Sequence, residues 1–436
     1  MTEVILRMKK KISTVGCLFV IIICLWGCGE KSQQTDSVDI KTNDVSEEKT
    51  VVDETDIFDA EDGTETNSEE AAWQVEMVER PKVKGIFITG PTAGTSNMEN
   101  LITLVDETEL NAVVIDVKND EGRITYDMQI PEVQEIGAGI RYIQDMESLV
   151  AECKEKDIYL IARIVAFKDP FLAEAKPEWC IRNFDGSIFR DKDALAWINP
   201  YNQETWEYLL AVAEEALRMG FDEIQFDYIR FSTDSGMENV DFGQAGKEKD
   251  REQIITEFVQ YASERIHEAG GVISADVYGM VIDSEVDQRI VGQNYVEMSK
   301  YLDYISPMVY PSHYGPYNYN IPVPDAEPYK LVLTALQSSR KILAGIYPET
   351  VSGNVESGNA MEEIAALLPM EGIRAQVRPW LQDFTATWVK GHISYGPDEI
   401  RAQIQAVYDA GYEEWILWNA ANRYTEDGLL REDEIE

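Results

Sequence analysis

After residue 81 the chain alternates short, β-branched apolar runs with longer amphipathic stretches, and it completes that cycle eight times. Continuous apolar runs read as strands covered on both faces, and the amphipathic stretches as the helices that cover them. The expected strands are 83–89, 112–118, 159–167, 223–231, 272–279, 304–310, 375–383 and 414–419. Between the third and fourth, residues 202–219 place Trp206, Leu209, Leu210, Ala213 and Leu217 on one helical stripe, and Gly220 follows where a C-cap glycine belongs. Gly270 and Gly411 end the segments 255–269 and 397–410 in the same way. Eight βα units predict an α/β protein with a (β/α)8 barrel. An open doubly wound sheet competes with it, but no G-x-G-x-x-G or phosphate loop stands where such a sheet would use one. Two long loops, 168–199 and 311–328, are rich in aromatic residues, Pro and Gly and would lie on the active face.

A barrel of this kind collects its chemistry at the C-terminal ends of the strands. Four expected strands carry a carboxylate there: Asp116, Asp227, Asp276 and Asp383. An ionised carboxylate in an apolar setting costs several kcal/mol or shifts its pKa, so roughly four of them gathered together are not a stability device. Glycoside hydrolysis is the chemistry that wants them, because one carboxyl group protonates the leaving oxygen and another attacks or activates water. Asp227, at the end of the fourth strand, is the expected nucleophile.

The residues before the barrel point to a membrane. Arg7 and the lysines at 9–11 precede an apolar run at 12–26, shorter than the roughly 20 residues that span a bilayer, and Cys28 follows. This reads as a secretion signal over 1–28 ending in a lipoprotein box, with Cys28 lipidated and the protein extracytoplasmic, lipid-anchored to the cell membrane. An uncleaved anchor is the competing reading. Residues 29–80 are Ser, Thr, Asp, Glu, Asn and Gln with no sustained apolar period, an expected disordered acidic linker, and 81–428 form the barrel domain. Three of the five cysteines fall in the leader, so Cys153 and Cys180 are expected as buried free thiols. The net charge of −42 argues against nucleic acid as a partner and leaves a neutral or cationic glycan acceptable.

The set AVVIDVK (112–118), IARI (161–164), WINP (197–200), DEIQFDYIRF (222–231), ISAD (273–276), ISPMVYPSH (305–313), RPWLQDF (378–384) and WN (418–419) resembles bacterial glycoside hydrolases of a domain-of-unknown-function class with alpha-amylase-like barrels. The resemblance runs from about residue 85 to residue 424 and implies a barrel acting on carbohydrate. Amylase-like barrels carry the acid on strand five, which by resemblance makes Asp276 the acid/base, although those barrels have glutamate there. Chitinase-like barrels also put an acidic motif on strand four, but Gln225 and Ile229 replace its second acid and its terminal glutamate. Substrate-assisted chitinolysis is therefore set aside. The stretch 343–373 is longer than the resemblance leads one to expect, with room for an extra helix.

Asp383 is the third catalytic candidate, binding sugar hydroxyls or raising a neighbour's pKa. Asp116 is expected at the substrate, with Lys118, Arg163 and Arg230 balancing charge. Tyr228, Tyr278, Tyr310, Trp380 and Trp418 suit stacking on apolar sugar faces, and core packing is their competing role. His313 follows the sixth strand and could bond a sugar hydroxyl. With three histidines in the chain, a histidine-built zinc site is not expected, while a carboxylate-built calcium site near 116–121 stays open. No cofactor is expected, and the chain is read as a monomer. The competing function is a non-catalytic carbohydrate-binding envelope lipoprotein, and a structural envelope protein stands behind it.

Overall fold

In a computed structural model, residues 80–347 and 359–434 are described. The signal segment, Cys28 and the acidic linker expected before the barrel lie outside these residues.

Eight parallel strands close on themselves. They are β1 (Lys84–Ile88), β2 (Ala112–Lys118), β3 (Tyr159–Val165), β4 (Glu223–Asp227), β5 (Val272–Tyr278), β6 (Tyr304–Met308), β7 in two pieces (Gln376–Val377 and Trp380–Gln382) and β8 (Trp415–Trp418). Each pairs with the next, both pieces of β7 pair with β6, and β8 returns to β1 through Lys84 opposite Trp415. This is the (β/α)8 barrel that the repeated pattern predicts. Its outer helices are α1 (Asn97–Asp106), α2 (Met146–Glu155), α3 (Gln203–Met219), α4 (Arg251–Glu268), α5 (Glu285–Val291), α6 (Pro328–Leu343) and α7 (Pro397–Asp409). Past β8 the described residues continue in 3-10 turns with no eighth helix.

Strand alternation sorts the side chains into two cores. Phe87, Val114, Ile161, Trp380 and Ile416 pack inside the barrel, while their neighbours Ile86, Val113, Leu160 and Leu417 pack against the helices. The same inward parity carries Asp116 on β2, Arg163 on β3, Asp227 on β4 and Asp276 on β5. At the opposite end, Glu223 opens β4 and meets Arg378, which lies between the two pieces of β7. Both are fully buried, and Arg378 lies 4.3 Å above the Tyr304 ring. That ion pair closes the floor of the barrel.

Local chemistry accounts for the boundaries. Asn202 caps α3 through Glu204 N, and Gly220 ends it at φ 113°. Helix α4 begins four residues earlier than the sequence pattern suggests, because Asp250 and Gln253 form a reciprocal capping box. Strand β4 stops at Asp227 rather than at 231, since Tyr228 turns into the left-handed region at φ 51°. Strand β7 breaks where Pro379 offers no N–H to the ladder. The loop 168–199 is built rather than free: it holds a short helix (Pro170–Ala175) and a strand (Arg182–Asn183) that pairs antiparallel with Val240–Asp241. A short helix (Asn359–Ala365) occupies the longer stretch before β7. Cys153 and Cys180 are buried and unbridged.

Candidate active site

The inward-facing ends of β2 to β5 meet around one guanidinium. Arg163 donates from Nη1 to Asp116 Oδ1 at 2.6 Å, and from Nε and Nη2 to Asp227 Oδ2 at 3.0 and 2.5 Å. Its Nη2 also lies 3.5 Å from Asp120 Oδ2. Three carboxylates thus surround one cation, and among them only the Asp120 side chain is open to solvent, at 41%. The cation these acids share is Arg163 itself. Sequence reasoning misses Asp120, whose only signal is the acidic run 116–121 that left a calcium site open.

The environments of the acids differ. Burial pushes Asp116 up to about 6 against the pull of Arg163. For Asp120 burial acts in the same direction, but the charges of Arg163 and Lys168 prevail and hold it below its ordinary value. Asp227 receives the Tyr228 N–H on Oδ1 at 2.6 Å, and the left-handed turn at Tyr228 is what delivers that donor. A non-glycine residue at positive φ is uncommon and costs about 1–3 kcal/mol, so the surrounding packing has to enforce it. Trp197 packs edge-on to the Tyr228 ring at 5.9 Å, and the ring lies 4.6 Å from Lys168 Nζ and 5.0 Å from the Arg230 guanidinium. Arg230 also covers Tyr278 at 4.5 Å.

Asp276 is 2% exposed and accepts the Trp380 indole N–H on Oδ1 at 2.6 Å. Burial, reinforced by the nearby Asp227 charge, lifts its carboxyl well above the usual range. Tyr310 is buried against the same two acids. Trp418 stacks on Phe87 at 4.1 Å, and Arg163 lies 5.5 Å above its ring.

Three other expected site residues, Lys118, Asp383 and Trp380, are placed differently. Lys118 is fully buried, 2.8 Å from Asp169 and donating to the Val165 carbonyl at 2.6 Å, so it braces the β2–β3 end instead of facing a ligand. Asp383 follows the inward-facing Gln382 and therefore points the other way. Both its oxygens are engaged by Thr425, at 2.8 Å from N and 2.7 Å from Oγ1, and it anchors the loop after β8. Trp380 is 1% exposed, a wall that holds Asp276 and not a stacking platform. His313 is exposed beside Tyr310, with the ring centroids 5.2 Å apart. Among the described residues no group of three or more His, Cys, Asp or Glu is arranged to hold a metal ion.

A hypothetical protein from Ruminiclostridium thermocellum ATCC 27405 is 39% identical, with 44% of this chain and 97% of that chain covered, at a TM-score of 0.41. The glycoside hydrolase domain of PgaB (BpsB) from Bordetella bronchiseptica is 10% identical, with 78% of this chain and 94% of that chain covered; its TM-score of 0.55 speaks for a common fold. The TtGalA alpha-galactosidase from Thermus thermophilus is 12% identical, covering 78% and 58% at a TM-score of 0.44. Curated protein sequences give no significant match. Residues 85–424 match the family described as "Putative glycosyl hydrolase domain", and the chain belongs to that family.

Proposed function

We propose that the protein hydrolyses a polysaccharide at the cell surface, with Asp276 as general acid and Asp227 as nucleophile. The observation that carries this reading is the unlike treatment of two neighbouring acids. Burial and the Asp227 charge raise the Asp276 pKa and so favour its protonated form, and with Oδ1 held by Trp380 the other oxygen is the one left to carry a proton. Asp227 is oriented by Arg163 and by the Tyr228 N–H, which leave a lone pair of Oδ1 open. In the first step Asp276 gives its proton to the glycosidic oxygen, that oxygen's bond to the anomeric carbon breaks, and Asp227 bonds to the anomeric carbon. In the second step the Asp276 carboxylate takes a proton from water, whose oxygen displaces Asp227 and frees the sugar. Arg163, shared with Asp116 and Asp120, offsets the charge that returns to Asp227.

The same reading attaches the barrel to the outer face of the membrane through a lipid on Cys28, with residues 29–80 as tether. Incorporation of labelled fatty acid by the wild-type chain, lost in Cys28→Ser, supports the anchor; equal labelling of both sinks it. The hydrolase is tested by reducing-sugar release from α-glucans, peptidoglycan and amino-sugar polymers. Asp227→Asn and Asp276→Asn are each expected to lose about 10²–10⁴-fold. If wild type and variants bind one glycan equally and none releases sugar, the protein is a carbohydrate-binding lipoprotein instead.

A further inference from the structure

Trp388 is the most exposed tryptophan of the described residues, at 58%, and it does not stand alone. It stacks on Phe384 at 6.0 Å and 20°, and Phe384 meets the edge of Tyr310 at 6.2 Å. Tyr310 lies 6.5 Å from Trp418, whose ring packs 5.6 Å from Trp380, the residue that holds Asp276. A continuous file of rings therefore leads from the proposed general acid to the protein surface. The loops at its outer end are braced. The Gln382 side chain donates to Asp325 Oδ1 and to the Phe384 carbonyl, each at 3.0 Å, and accepts from Ser312 N at 3.0 Å. Asp325 is fully buried and also receives Ile393 N, so one buried network fixes both loops that carry the rings. An exposed aromatic stacked on Phe384 between two such anchors loses less freedom when it receives a flat apolar ligand, which is what preorganisation contributes to binding.

We infer that Trp388, backed by Phe384, forms an outer subsite that stacks on a pyranose ring of an extended glycan, several sugars long, whose cleaved bond lies at Asp227 and Asp276. This rests on reading the cleft as a glycan-cleaving site. It adds where a sugar remote from the cleaved bond is held, and it names the residue that senses chain length.

Binding of the full-length chain to maltooligosaccharides and chitosan oligosaccharides, each from disaccharide to hexasaccharide, is measured by calorimetry. Wild type, Trp388→Ala, Trp388→Phe and Asp227→Asn are compared, with thermal melting as a check on folding. In at least one series wild-type affinity should rise with length. Trp388→Ala should lose roughly threefold to tenfold on the longest ligand and little on the disaccharide, the size expected of one aromatic contact, and Trp388→Phe should keep most of the gain. Equal affinities of wild type and Trp388→Ala at every length, or no wild-type binding in either series, overturn the subsite. Asp227→Asn separates the two readings: it should bind with the wild-type length dependence while releasing no sugar. Release undiminished in Asp227→Asn defeats the catalytic assignment and leaves the length series to decide the subsite.

Discussion

Asp116→Asn separates what the acid cluster costs from what it does. Asp116 is 4% exposed, and burial, opposed by Arg163, raises its pKa from the ordinary 3.8 to about 6. The folded protein therefore keeps this proton to higher pH than the unfolded chain does. At low pH both states are protonated and the group contributes nothing. Between 3.8 and about 6 the unfolded chain releases the proton first, so stability falls as pH rises, and above about 6 the loss is complete. At roughly 1.4 kcal/mol per pH unit the gap amounts to about 3 kcal/mol. The asparagine keeps the shape and still accepts from Arg163, and it has no proton to lose. Removing one partner of a buried ion pair usually costs about 3–5 kcal/mol because it strands a charge. Here Arg163 retains Asp227 and Asp120, so nothing is stranded. Reversible denaturation at about pH 4 and about pH 7 should show the variant gaining about 2.4 kcal/mol relative to wild type between the two, the rest of the effect lying below about pH 4. A difference that does not change with pH refutes the reasoning, whatever its absolute size.

Three further outcomes follow from other parts of the structure. Because the general acid must be protonated to act, kcat/KM should fall as pH rises through the Asp276 pKa, on a limb well above the ordinary carboxylate range; a fall already complete near pH 4 to 5 contradicts the assignment. Arg378→Met leaves Glu223 buried without its cation and should destabilise by about 3–5 kcal/mol in chemical denaturation, most of which Glu223→Gln in the same chain restores. A methyl group at Gly279 would strike Tyr314 Oη and stand 2.6 Å from the Met308 carbonyl oxygen, so Gly279→Ala should lower Tm clearly, whereas Gly139→Ala, with open space around it, should stay within about 0.5 kcal/mol of wild type.

The barrel was legible because its strands are buried on both faces and its helices on one, which writes two different periods into the chain. Residues 112–118, all buried, show the first, and α3 with its glycine stop shows the second. The site was legible as far as strand parity held. Asp116, Arg163, Asp227 and Asp276 share the inward set. Asp383 does not, and alternation from Trp380 would have turned it away. Lys118 defeats the same rule, because the pairing of β2 with β3 shifts between Asp116 and Lys118 and carries the lysine into the wall. Asp120, Lys168 and Trp388 come from loops, where no period exists and only the folded contacts assign a role. The turn at Tyr228 was hidden too, since an apolar strand pattern runs straight through it.

If Asp276 supplies the proton and Asp227 the attack, the two variants must differ in how cleavage depends on the leaving group. Dinitrophenyl glycosides of several sugars need no proton on departure, while oligosaccharides do. The first cleavage event, read as a burst, and steady-state turnover are to be measured on both kinds of substrate for wild type, Asp276→Asn and Asp227→Asn. Asp276→Asn should release the first equivalent of dinitrophenolate at close to the wild-type rate, then turn over slowly because the second step lacks its base, and should fail on oligosaccharides, while Asp227→Asn should fail on both. Equal losses in the first cleavage step of the two substrates in Asp276→Asn, or preserved cleavage of either in Asp227→Asn, would rule out these roles.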